Sequence, residues 1–177
     1  MEEMNMNDDP VSDTPPELQM FQQVLQPAES TMPLLQRIEQ LVAERGFIRV
    51  DPGNVAEFDN AEGNSVLLLT ADPRNNPESW DLLVILPELL KCSPTPLQVG
   101  VADPVASAKL AVRYGVRRYP ALVFQRGGDA QTYVDALEGL CDWDVYRQTL
   151  VDASQKPVSR APTVGIAVVT AGSTACH

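Results

Sequence analysis

The stretch Ser65-Val66-Leu67-Leu68-Leu69-Thr70 has no polar residue between its ends and is flanked by loop-forming residues. A strand with one face in water alternates apolar and polar side chains, whereas a strand apolar at every position must be covered on both faces. The chain must therefore hold a central strand between two layers. Its neighbours have the spacing to supply them. Leu34, Leu35, Ile38, Leu41 and Val42 recur at helical intervals before Gly46, a stop signal. Phe47–Val50 reads as a short strand ended by Asp51-Pro52-Gly53, and Asn54 caps a weak helical turn around Val55–Phe58. Trp80–Leu90 is apolar almost all round, which marks a buried helix, and Pro87 within it is expected to kink it. Leu97–Ala102 follows as a strand and Val105–Tyr114 as a helix closed by Gly115. Ala121–Gln125, the turn Gly127-Gly128-Asp129 and Thr132–Leu137 form a hairpin, and a last helix spans Asp142–Ala153 with Asp142 as its cap. From the first strand onward the order is β–α–β–α–β–α–β–β–α. Crossover helices make the early strands parallel and the hairpin makes the late ones antiparallel, so a mixed sheet covered on both faces is expected.

The two ends depart from this pattern. Residues 1–32 carry seven acids, no Lys or Arg, and four prolines, and are expected to form an acidic, disordered arm, with Gln19–Gln26 able to turn helical. The domain proper is read as 33–155 and the remainder, 156–177, as a tail. Within that tail Val164–Val169 is apolar and uncharged, and two readings stay open for it, a disordered segment or a strand on a sheet edge.

With a net charge of −11 the chain repels phosphate backbones, which argues against nucleic acid and in favour of a basic peptide or protein as partner. No apolar stretch nears the ~20 residues that span a bilayer, and the acidic start lacks the features of a signal peptide, so a soluble cytoplasmic protein is expected. The three cysteines, Cys92, Cys141 and Cys176, are far apart, and the one histidine is His177. These spacings exclude a CxxC motif and leave no basis for a His/Cys metal site, a Cys–His nucleophile pair or a bound cofactor.

The segment Tyr114-Gly115-Val116-Arg117-Arg118-Tyr119-Pro120-Ala121-Leu122-Val123-Phe124, with Gly127-Gly128 after it, resembles the segment of thioredoxin that carries its cis-proline. The resemblance implies a three-layer α/β/α fold with a mixed sheet and a cis peptide bond at Pro120. Aligning Ile85–Leu89 with the end of thioredoxin's active-site helix puts Asn76-Pro77-Glu78-Ser79 where that family has Cys-Gly-Pro-Cys, and Thr70 where it has a buried acid. A dithiol couple needs two exchangeable sulfurs within bonding distance, and this loop has none.

A narrower family is closer. Val66–Thr70 with Ala71-Asp72-Pro73-Arg74, Pro77-Glu78 and Leu86–Leu90 resembles the hydrogenase expression/maturation proteins HyaE, HupG and HoxO. The likeness continues through Gln98–Asp103, Tyr114–Ala121 and Trp143, and covers about Leu34 to Asp152. It implies a non-enzymatic chaperone for assembly of a membrane-bound nickel–iron hydrogenase, one that contacts the small-subunit precursor before its twin-arginine-dependent export, alongside other maturation proteins.

The expected binding face joins the loop before the buried helix to the proline turn. Asp72, Pro77, Glu78, Trp80 and Asp81 supply one side, and Tyr119 and Pro120 the other, beside Glu138. An extended peptide pairs with backbone beside Pro120, and carboxylates receive arginines. Asp72 has a competing role as a turn cap, Glu78 as a partner of the helix dipole, and Trp80 as a core residue. Two other readings stand beside this one. The first is a thiol-dependent enzyme using Cys92 or Cys141, and the second an interaction module with an unrelated partner.

Overall fold

The computed structural model describes residues 31–128 and 131–162. The acidic arm up to residue 30, the run Val164–Val169, Cys176 and His177 lie outside them. Helix α1 (Met32–Arg45) starts with proline in its first turn, where a missing N–H is harmless, and ends at Gly46 in the left-handed conformation (φ 68°). It leads into β1 (Ile48–Arg49), the short helix α2 (Val55–Asn60) and β2 (Gly63–Leu69). Next come α3 (Glu78–Leu89), a 3₁₀ turn at Leu90–Cys92, β3 (Leu97–Ala102) and α4 (Pro104–Tyr114). β4 (Ala121–Gly127), β5 (Tyr133–Glu138) and α5 (Trp143–Gln155) complete the order.

The five strands lie in the order β1-β3-β2-β4-β5. β3 is parallel to both β1 and β2, while β4 is antiparallel to β2 and β5, so the expected mixed sheet forms with β2 at its centre. The period of two then sorts the apolar run of β2. Val66 and Leu68 join the core beneath α1, α3 and α5, and Leu67 and Leu69 join the opposite core beneath α2 and α4. Three layers result, and all four side chains are fully buried.

Some local expectations are revised. The first strand is two residues and not four. α3 continues through Pro87 and stops at Leu89, so the proline lies in the last turn and passes the chain into the 3₁₀ turn without breaking the helix. Asp142 precedes α5 but its carboxylate makes no cap bond, whereas before α4 Asp103 accepts from the Ala106 N–H at 2.9 Å. Asn54 likewise makes no cap bond; its side chain accepts from the Asp51 N–H and donates to the Arg49 carbonyl. Beyond α5, Ser159 donates its N–H to the Tyr133 carbonyl at the free edge of β5.

Candidate functional site

Strand register decides which loops meet. Leu69, the last residue of β2, lies opposite Ala121, the first of β4, and Ala121 lies opposite Glu138, the last of β5. The loop 70–77, the turn 116–120 and the loop 139–142 therefore share one end of the sheet. α3 and α5 both begin there. The peptide bond between Tyr119 and Pro120 is cis, so Pro120 occupies the position expected of it.

Asn76 joins two of these loops. Its Nδ2 donates to the Tyr119 carbonyl at 2.9 Å, and its Oδ1 accepts from the Ser79 N–H at 3.1 Å and the Ser79 Oγ–H at 2.6 Å. Ser79, fully buried, accepts in turn from the Ala71 N–H at 2.9 Å. The side-chain oxygen thus caps the first turn of α3, the role for which Asn is favoured before a helix. The two positions aligned with a redox pair of thiols are bound to each other by hydrogen bonds. Behind them Thr70 is fully buried and donates its hydroxyl to the Ala102 carbonyl at 2.7 Å.

The proline turn is held from its other side by Glu138. One carboxylate oxygen accepts from the N–H groups of Arg117 and Arg118 at 2.9 and 2.7 Å, and the Gly139 N–H donates to the Pro120 carbonyl at 2.7 Å. Tyr146, buried under the loop, donates to the Gly139 carbonyl and accepts from the Cys141 N–H.

The carboxylates of the site therefore differ. Asp72 is occupied, since it accepts from the Arg74 guanidinium at 2.6 Å and from the Arg74 backbone N–H. Those bonds hold its carboxyl below the usual range. It acts as the turn residue. Glu78 and Asp81, in the first turn of α3, have no charged partner among the described residues. Trp80 between them is 37% exposed, which makes it a surface side chain and not a core one. Pro77 is exposed beside it, Tyr119 is half-buried, and Pro120 is buried. Glu78, Trp80 and Asp81 thus stand with their side chains uncommitted among the described residues, while Asp72 is neutralised, the Tyr119 hydroxyl donates to the Ser107 carbonyl at 3.3 Å and the Pro120 carbonyl accepts from the Gly139 N–H. Asn76, Ser79 and Glu138 organise the site, and the signal for the first two was an Asn three residues ahead of a Ser at a helix start.

Neither described cysteine lies in the loop 70–77. Cys92 ends the 3₁₀ turn after α3, away from the loop. Cys141 lies before α5 with its thiol 3.7 Å from the Gly139 carbonyl, and burial, reinforced by Asp142 against Arg118, pushes that thiol's pKa up. Among the described residues no group of three His, Cys, Asp or Glu gathers to hold a metal, and no helix is long and apolar enough to cross a membrane.

The sheet order, the cis-proline and the loop facing it define a thioredoxin-like domain in which hydrogen-bonding side chains replace the thiols. Residues 37–146 match the family described as hydrogenase-1 expression protein HyaE, and the chain belongs to that family. The hydrogenase expression/formation protein HoxO of Cupriavidus necator is 36% identical over 143 residues, which cover 79% of this chain and 87% of the relative. HupG of Bradyrhizobium diazoefficiens is 29% identical over 132 residues, 72% of this chain and 87% of its own length. Among solved structures, one described as a hydrogenase expression/formation protein HupG from Rhodopseudomonas palustris is 28% identical, covers 58% of this chain and 90% of its own, and has a TM-score of 0.42. A thioredoxin mutant from Halobacterium salinarum is 22% identical with a TM-score of 0.47, over 63% and 93% of the two chains.

Proposed function

We propose that this chain is a non-enzymatic, cytoplasmic assembly chaperone in the maturation of a membrane-bound nickel–iron hydrogenase, and that it binds the precursor of the small, iron–sulfur subunit close to its twin-arginine signal. One observation carries the reading. The site that resembles a redox centre is closed by the Asn76–Ser79 hydrogen bonds, while the two carboxylates next to it, Glu78 and Asp81, have no charged partner among the described residues. A surface arranged in this way suits the capture of guanidinium groups and not electron transfer. Family membership ties the partner to hydrogenase formation. A thiol-based activity at Cys141 is poorly served, because reactive cysteines require lowered pKa values and burial raises that of Cys141.

Exposed ion pairs contribute only about 0.2–1 kcal/mol each, so two of them give affinity its salt dependence more than its size. The test is titration of a synthetic twin-arginine signal peptide into the full chain at low and high salt. Binding that weakens with salt is expected, and Glu78→Lys with Asp81→Lys should weaken it several-fold at low salt while lowering the thermal midpoint by only several degrees, the cost of two cations in the first turn of α3. Unaltered affinity in that double variant would exclude the acidic turn as the arginine site.

A further inference from the structure

The described surface exposes eight large apolar side chains, and their distribution is uneven. Trp80 (37%), Val84 (43%), Leu140 (41%) and Trp143 (44%) all belong to α3, to the head of α5, or to the loop leading into it. The only two tryptophans of the chain are among them. Trp80 and Val84 are one turn apart on the outward side of α3, opposite Leu82, Leu83 and Leu86, which face the core. α3 and α5 lie on the same face of the sheet and begin at the same end, so the ridge leads away from the site already described.

The charges around the ridge are mostly acidic, with Arg147 3.9 Å from Asp144 and the Arg118 guanidinium against Gly139 as the bases nearby. The first turns of α3 and α5 carry Glu78, Asp81 and Asp144, Asp142 precedes α5, and neither turn has a base. A soluble protein gains nothing from placing both its tryptophans in water, and large exposed aromatics within a polar rim mark contact surfaces. The partner this surface fits has two adjoining chemistries, basic residues for the rim and an uncharged apolar run for the ridge.

We propose that the ridge Trp80–Val84 seats an uncharged apolar run directly adjoining the basic residues held at Glu78 and Asp81. The inference rests on the proposed function, because a signal peptide places an apolar region after a positively charged one. It adds an orientation. The basic end lies at the sheet end of α3, and the apolar run extends along that helix toward Glu88.

The test uses the full chain and three tryptophan-free peptides: paired arginines followed by a Leu/Ala run, the same peptide with the run replaced by Ser/Gly, and the first with glutamines for arginines. Both tryptophans report on the surface, so emission is read together with affinity. The arginine–apolar peptide should shift emission to the blue. The Ser/Gly peptide should bind about tenfold more weakly or worse, with no shift. Val84→Ser should weaken the first peptide about tenfold and leave the second unchanged, while Val112→Ser, an exposed valine on α4, should alter neither. Equal binding and equal emission for the first two peptides would overturn the ridge and leave the acidic site standing. Binding by the glutamine peptide as tight as by the first would separate the ridge from the rim and overturn the adjoining arrangement. If no peptide binds, the ridge and the proposed function fall together.

Discussion

Replacing Asn76 with alanine tests whether hydrogen bonds have taken over the structural task of a disulfide at this site. The substitution removes three bonds, to the Ser79 hydroxyl (2.6 Å), the Ser79 N–H (3.1 Å) and the Tyr119 carbonyl (2.9 Å). The fully buried Ser79 hydroxyl then loses its acceptor, which costs about 1–3 kcal/mol. Loss of an Asn cap adds about 1 kcal/mol, softened because the Ser79 N–H also meets the Asn76 backbone carbonyl at 3.2 Å. The half-buried Tyr119 carbonyl can regain water, so its share is about 0.5–1 kcal/mol. The total is about 3 kcal/mol. With an m-value of about 1–3 kcal/mol per molar urea, the unfolding midpoint should fall by about 1–3 M. Ser79→Ala should destabilise by about 2 kcal/mol, since it strands the Ala71 N–H, and the double variant should cost about 1 kcal/mol less than the sum because the shared bond is lost once. Asn76→Asp keeps the cap acceptor but turns an oxygen toward the Tyr119 carbonyl, which isolates the cross-loop bond. Urea unfolding of these variants, with the exposed neighbour Asn75→Ala as control, checks the account. Single-variant losses under 0.5 kcal/mol, or additivity within 0.3 kcal/mol, would refute it.

Two further perturbations probe the other face of the sheet and its edge. Asp59 is buried on α2, with one oxygen accepting from the Arg113 guanidinium (2.6 and 2.8 Å) and the other from Tyr114 and Gln125 (2.6 Å each). Asp59→Ala should therefore destabilise by about 3–5 kcal/mol in thermal unfolding, more than Tyr114→Phe, because it leaves a cation and two dipoles without their acceptor. Tyr133 on the β5 edge has its pKa pushed up to about 12 by burial and by Asp135 and Glu138. Between pH 10 and 12 the unfolded chain loses the phenolic proton while the folded chain keeps it, so stability is unaffected below pH 10 and falls as pH rises through that window. Tyr133→Phe should reduce the slope of unfolding free energy against pH there, and an unchanged slope would contradict the assignment.

The fold was legible where the chemistry is local or periodic. Val66–Leu69 announced a doubly buried strand because no other environment accepts four such residues in a row, and Gly46 and Gly115 announced helix ends because both adopt the left-handed conformation. Strand order was less accessible. It depends on contacts such as that of α2 on β3, where a Cβ on Gly100 would stand 2.7 Å from the Phe58 ring, and a single Gly in an alternating run does not reveal its neighbour. Pro87 misled because its effect depends on distance from the helix end, which is set by packing. At the site, residue types pointed to a loop but not to the state of each group. Asp72 and Glu78 are both acids in one loop, and only geometry shows that Arg74 folds back on the first and not on the second. The Glu138 carboxylate was placed beside the groove, yet its bonds to two consecutive N–H groups join residues 20 and 21 positions apart, a pairing no sequence spacing encodes.

The exchange of thiols for Asn76 and Ser79 has a consequence for how a partner is held. A dithiol site must pass between two bonded states and so cannot be tied to its surroundings in both. Asn76 and Ser79 have one arrangement, and it links Ala71, the head of α3 and the carbonyl before Pro120 in a single chain of bonds. That chain also uses the Tyr119 carbonyl, a group that an extended peptide beside the cis-proline would otherwise seek. Strand addition at the proline is thereby weakened as a source of affinity, and side-chain contacts at Glu78, Asp81 and Trp80 gain importance in its place. A rigid first turn of α3 holds those three side chains with little entropy left to lose on binding. The same bonds that stand where a redox pair of thiols would stand therefore stiffen the first turn of α3, which carries the proposed binding surface.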